Sequence, residues 1–193
     1  MSDRKILMDS GGSMPKLKTP EELVNRPLKV YLAGPIQDTN DGGVEWRRRL
    51  TSFLTNLNIE VLDPTIYEAK ELGDPVSVKD MIEECVRNED WEKFDHYVDL
   101  LIDRDVRLVR ESDFVIALMK PNVKSTGTIC EIWEAVLHSQ VPVYVVSYDP
   151  LSEWSYWILR VVRRHGKIFR SWNDLMEFLE STYGKRLVGV DKQ

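Results

Sequence analysis

Cysteine is scarce in this sequence: Cys85 and Cys130 are the only two in 193 residues, and no CxxC pair occurs. A disulfide scaffold is thereby excluded, and the pattern fits the reducing cytoplasm. Histidine is nearly as rare. His96, His138 and His165 stand at no metal-ligand spacing, so all three are expected to be structural or at the surface, and no metal is expected. Long apolar runs are missing: none reaches the ~20 residues a membrane helix needs. The N-terminus lacks the apolar core of a signal peptide. An excess of positive charge is missing too. The net charge of -6 argues against a binder of polymeric nucleic acid. It leaves room for a small anionic ligand, because a local amide-rich or basic pocket can oppose the global charge. Neither GxGxxG nor GxxxxGK[ST] is present.

What remains belongs to a globular chain. Apolar residues make up 42% and charged residues 30%, and the length suits one domain with a sizeable core. Residues 1–25 are polar, aperiodic and punctuated by Gly, Ser and Pro; they are expected to form a flexible arm before a single domain at 26–193. "LKVYLAG" (28–34) reads as a buried strand ending at glycine. "GGVEWRRRLTSFLTNL" follows at helical spacing, with Val44, Leu50, Phe53, Leu54 and Leu57 on its apolar side. In the run Arg47-Arg48-Arg49, a solvated face accounts for at least two. "IEVLDP" (59–64) is a second strand closed by Asp-Pro, and the acidic stretch 65–104 reads as helical in two pieces, around 78–88 and 91–110. "SDFVIALM" (112–119) and "VPVYVVS" (141–147) are strands flanking the helix "TICEIWEAVLHSQ". "SEWSYWILRVVRRHG" is a helix capped by Ser152 and stopped by Gly166. A short strand "KIFR" and a last helix capped by Ser171 or Asn173 complete the chain.

Apolar strands alternating with amphipathic helices imply an α/β fold with a mostly parallel sheet, about five-stranded, covered on both faces. In such sheets a ligand sits beyond the carboxyl ends of the strands, where strand order reverses. The residues to watch are therefore Gly34-Pro35-Ile36-Gln37, Asp63-Pro64, Lys120 to Gly127 and Ser147 to Pro150.

Several stretches there carry chemistry. "AGPI" is either a ligand-cradling loop or a plain turn; Pro35 removes one amide donor from it. In "STGT" (125–128), Gly127 permits a close approach, and Ser125, Thr126 and Thr128 offer hydroxyls beside a helix N-terminus. The alternative is ordinary capping by Thr126 or Thr128. Glu131 fits a capping box with Thr128, or it is a nucleophile or base facing the strand-end crevice. Glu134, one turn on, is expected to face solvent. Asp103, Asp105 and Asp113 flank an apolar helix face, and Asp113 is placed to cap or to bond backbone.

Together, "KVYLAGPI", "DRDVRLVRESDFVIAL" and "GTICEIWEA" resemble the nucleoside 2-deoxyribosyltransferase family, whose superfamily includes deoxynucleoside 5'-monophosphate N-glycosidases. The resemblance spans roughly residues 28–147, with one long helical insertion at about 65–104. It implies a flavodoxin/Rossmann-like three-layer sandwich and a homo-oligomer built from dimers. It makes Glu131 the nucleophile. Asp105, eight residues before Asp113, becomes the leaving-base proton donor or nucleophile positioner. Tyr31 would orient the glutamate. Gly34, Pro35, Ile36, Asp113, Ser125, Gly127 and Thr128 would bind substrate. Six residues before the nucleophile, transferases acting on free nucleosides tend to carry an aspartate that binds the sugar 5'-hydroxyl. Here Ser125 stands there. A serine accepts a 5'-phosphate that an aspartate would repel, which tilts the expectation toward a nucleoside monophosphate. Trp91 and Phe94 in the insertion offer either base-stacking rings or core packing.

The implied reaction is cleavage of an N-glycosidic bond through a glycosyl-enzyme ester, completed by water or a second base. It requires no metal or organic cofactor. The rivals are a deoxyribosyltransferase acting on free nucleosides and a nucleotide-binding sensor without turnover.

Overall fold

Alternation along the strands decides the architecture. The computed structural model describes residues 27–36, 39–72, 75–120 and 126–184. The expected arm at 1–25 and Ser125 fall outside that set. Strands β1 (Leu28–Ala33), β2 (Ile59–Leu62), β3 (Phe114–Leu118), β4 (Val143–Val146) and β5 (Gly166–Phe169) form one five-stranded sheet, ordered β2-β1-β3-β4-β5. Every pairing is parallel. Successive side chains of a strand point to opposite faces, and both faces here are apolar. Leu28, Val30 and Leu32 of β1 join Phe114 and Ile116 of β3 on one side, where Leu50 and Leu54 of α1 (Val44–Asn56) and Leu175 and Leu179 of α7 (Trp172–Tyr183) cover them. Tyr31 and Ala33 join Val115, Ala117, Val143 and Val145 on the other. That face is covered from α4 (Trp91–Glu111), α5 (Thr126–Glu134) and α6 (Tyr156–His165) by Leu108, Val109, Ile132, Ile158 and Val162. The sandwich expected from the alternating pattern is therefore present.

Four local expectations need correction. The acidic stretch holds three helices, because α2 (Pro64–Glu71) precedes α3 (Pro75–Arg87) and α4. The Asp-Pro that ends β2 is itself a helix start: Asp63 accepts from the amide of Thr65, and proline occupies the first turn, where its missing N–H costs nothing. Ser152 does not cap α6; it lies in a short 3₁₀ turn, Leu151–Glu153, and the helix begins after Ser155. The helix holding Glu131 is α5 only to Glu134 and then widens into a π-helical turn, Ala135–Ser139. At the end of the last helix pair Gly166 does stop α6, but it is also the first residue of β5. Among the described residues, no helix is long and apolar enough to cross a membrane.

Gly166 pairs with Val143 across β4 and β5, and a Cβ there would overlap the Val143 carbonyl. The obstacle is backbone, which cannot swing aside. Gly166→Ala is expected to cost about 3 kcal/mol or more. Gly184→Ala, whose Cβ would meet only Leu57 at 3.9 Å among the described residues, is the matched control and should stay within about 0.5 kcal/mol. Urea unfolding of both variants checks this.

Candidate active site

Strand order reverses between β1 and β3, so the crevice opens at the carboxyl end of β1. The floor beneath it is set by a charge. Arg47 shares the buried stripe of α1 with Leu50 and Leu54 and is fully buried. Its guanidinium donates to the carbonyls of Leu32 (3.1 Å), Gly34 (2.9 Å) and Gly43 (2.8 Å), and lies 3.7 Å from Asp63. Gly43 has a left-handed backbone (φ 73), and a Cβ there would overlap Arg47. Val44, expected on the apolar side, is partly exposed instead.

The strand alternation aims Tyr31 at the helices opposite α1. Its hydroxyl donates to Glu131 Oε1 at 2.6 Å, joining residues 100 apart in sequence. Thr128 lies inside α5, not at its cap, so the capping box with Glu131 does not form. Glu131 Oε2 is shielded from solvent and has no hydrogen-bond partner among the described residues. Asp105 faces the same cavity. It accepts from Arg104 Nε at 2.9 Å, and Arg104 Nη2 forms an ion pair with the same oxygen, also at 2.9 Å. Arg104 Nη2 also reaches Glu68 Oε2 at 3.4 Å, and both of these side chains are buried.

This set of charges perturbs Glu131. Burial pushes its carboxyl up from 4.5 to about 7, with the negative charge of Asp105 adding to the rise. The Tyr31 hydrogen bond, then Arg47 and Arg104, pull the other way. Burial and the neighbouring Glu131 also hold the Tyr31 phenol well above its ordinary value, so it remains a donor. A carboxyl poised near neutrality in a cleft is a functional-site signature.

The residues enclose a cavity of about 500 Å³, within the ~300–1,000 Å³ usual for small-molecule sites. Gly34, Pro35 and Ile36 after β1 line it, with Gly127, Thr128, Cys130 and Glu131 of α5. Among the described residues, no atom lies within 4 Å of where a Gly127 Cβ would stand. Helices α3 and α4 complete the wall. Phe94 belongs to it, whereas Trp91 is half exposed and packs edge-to-face with Phe94.

Of the expected site residues, Tyr31, Asp105, Glu131, Gly34, Pro35, Ile36, Gly127 and Thr128 converge here. Asp113 does not. It sits just before β3, at the amino end of the sheet, where it exchanges hydrogen bonds with the Lys29 backbone. Its side chain therefore pins β1 to β3 at the end away from the cavity. Glu134 was expected to face solvent, yet it lines the cavity and accepts from Arg110 and His138, each at 2.6 Å. Sequence reasoning missed Arg47, Glu68 and Arg104. For Arg47 and Arg104 the signal was positional: each falls at helical spacing with buried leucines, Leu50 and Leu54 for Arg47 and Leu108 for Arg104.

No family model matches the chain, and no curated protein matches it in sequence. Solved structures do. A 2-deoxyribosyltransferase from Bacillus psychrosaccharolyticus is 18% identical, with 77% of this chain and 90% of that one covered at a TM-score of 0.53. A conserved protein from Enterococcus faecalis V583 is 17% identical over 80% and 98%, at 0.51. A CMP N-glycosidase from Clostridium botulinum is 16% identical over 79% and 98%, at 0.46. The first two establish that the fold is the one carried by the deoxyribosyltransferase.

Because the folded value of Glu131 lies above its ordinary 4.5, the folded state holds that proton more tightly than the unfolded chain. The resulting stability is fully present below about 4.5 and is lost as pH rises through about 7. Glu131→Gln, neutral at every pH, should therefore raise Tm at pH 8 by several degrees and have much less effect at pH 5. Thermal melts at the two pH values check the sign.

Proposed function

We propose that this chain cleaves the N-glycosidic bond of a nucleoside or deoxynucleoside 5'-monophosphate, with Glu131 as nucleophile and hydrolysis or transfer to another base as the second step. The observation that carries the reading is the 2.6 Å hydrogen bond from Tyr31 to Glu131 at the strand-order reversal, inside a cavity shared with Asp105. The deoxyribosyltransferase fold is consistent with it.

The chemistry follows from the geometry. Tyr31 occupies Oε1 of Glu131, which leaves Oε2 for the anomeric carbon of the sugar. As the bond to the base stretches, positive charge grows on the sugar ring, and a desolvated carboxylate stabilises it and then captures it as an ester. Of the two roles open to Asp105, the double contact from Arg104 supports the positioner. The negative charge of Asp105 also makes Glu131 a stronger base, and hence a stronger nucleophile. Water or an incoming base then releases the sugar with overall retention.

The monophosphate preference rests on the start of α5. Gly127 and Thr128 line the cavity within its first turn, where amides lack intrahelical acceptors and the helix dipole favours an anion. Ser125 would add a hydroxyl just before that turn. A homodimer belongs to the same reading: Tyr148, Tyr156 and Trp157 are 55%, 83% and 75% exposed, large apolar side chains of the kind that subunits cover.

Chromatography of free base from nucleosides and their 5'-monophosphates tests the reaction. Wild type should release base from monophosphates, and Glu131→Ala should lose at least about 10³-fold. Release from free nucleosides alone would make the chain a nucleoside transferase or hydrolase, and nucleotide binding without release would make it a sensor. The pH profile tests the roles. The acid limb of kcat/KM should fall about tenfold per pH unit below about 7. Asp105→Asn removes a charge that raises Glu131, so the limb should move to lower pH. Tyr31→Phe removes a hydrogen bond that lowers it, so the limb should move to higher pH. Shifts in one common direction would rule out this assignment.

A further inference from the structure

The cavity continues well past the carboxylates. Along α4 its wall is formed by Phe94, Val98, Leu101, Ile102, Val106 and Val109, with Asp105 between them. These positions follow the three- and four-residue spacing of one helix face. From Asp105 back to Phe94 is eleven residues, or about 16 Å of helix, longer than a purine ring system. Helix α3 adds Val78 and Ile82 opposite. The polar residues that α3 contributes to the wall, Lys79 and Glu83, are 4.0 Å apart and face each other's charge. Phe94, Val98 and Leu101 are only half-buried, and Ile102 is 54% exposed. Apolar surface thus faces water inside a continuous cavity, and covering it is favourable.

On the reading given above, the occupant of this arm has a definite identity. The anomeric carbon meets Glu131. The sugar phosphate lies toward Gly127 and Thr128. The glycosidic bond then points toward Asp105 and α4, so whatever extends along the α4 stripe is attached to the leaving base. We infer that the substrate class is a nucleotide whose base carries an extended alkyl or aryl substituent, seated between α3 and α4. This rests on the proposed N-glycosidase function and adds its specificity. An unsubstituted base fills only the portion beside Asp105. The walls beyond it offer chiefly side-chain carbon, which rewards an apolar arm and provides little to hydrogen-bond a polar one.

The test uses the full chain and two series of 2'-deoxynucleoside 5'-monophosphates, of adenine and of cytosine. The exocyclic amine carries hydrogen, methyl, butyl or benzyl. In whichever series is cleaved, kcat/KM should climb by about fourfold per buried methylene. Ile102→Ser, at a half-exposed position, and the near-isosteric Val98→Thr should each flatten that climb, read as the ratio of the butyl to the unsubstituted substrate. If unsubstituted nucleotides are cleaved as well as or better than the butyl and benzyl ones, the inference falls while the N-glycosidase reading stands. If neither variant changes the ratio, the arm lies elsewhere and the inference also falls. If no member of either series releases base, the inference falls, and the N-glycosidase reading is decided separately by the chromatography of the unsubstituted nucleosides and monophosphates.

Discussion

One guanidinium holds the site end of the sheet in place. Arg47 has no exposure to solvent, and an ion in that position is costly unless its donors are filled. They are filled by three carbonyls and by the flanking carboxylate of Asp63. Two of those carbonyls belong to the end of β1, one to the turn entering α1, and Asp63 ends β2. The last residues of two strands and the first turn of a helix are thereby fixed to a single planar group. Tyr31 sits on β1 just before this knot, so the direction of its hydroxyl depends on it. The same charge also reaches Glu131, which it helps to keep ionised.

A second buried cation, Arg104, performs the complementary task on the opposite helices. It ties α2 to α4 through Glu68 and fixes Asp105 beside it. Between the two arginines lie Tyr31, Asp105 and Glu131. Neither cation touches Glu131 through a hydrogen bond among the contacts described, and both lower its proton affinity from a distance. The balance leaves Glu131 near neutrality because burial and Asp105 outweigh them. The site is thus held at an intermediate proton affinity by opposed contributions, and each is assignable to a named side chain.

Much of this was legible in the sequence, for physical reasons. Strands buried on both faces are continuous apolar runs, and "KVYLA", "FVIAL" and "VYVV" have no other good reading in an α/β chain. The helical stripes followed from 3.6-residue spacing, and Ser171 caps α7 as its position implies. Tyr31, Asp105 and Glu131 were identified through resemblance and strand-end placement, and the fold brings them together. Pairing was what local pattern could not show. Arg47 is one of three consecutive arginines, and only the tertiary position of α1 separates it from its solvated neighbours. Glu68 and Arg104 lie 36 residues apart on different helices. Asp113 reads as a strand-edge carboxylate in either role, and only the direction of β3 shows that it lies at the end away from the cavity. The first turn of α2 was missed because Asp-Pro signals both the close of a strand and the opening of a helix.

The helices that wall the cavity also form the longest excursion between neighbouring strands of the sheet. Lys29 and Asp113 are bonded across 84 residues of chain, and β3 is the central strand. Closing so long a loop adds only a logarithmic entropic cost. Yet that cost falls before the pairing rewards it, which slows chains rich in distant contacts. The order of events is then constrained. Helices α3 and α4 are local and can form early, but the crevice exists only after β3 docks beside β1. Binding competence therefore waits on that pairing, and a chain stalled before it would hold helix without its site.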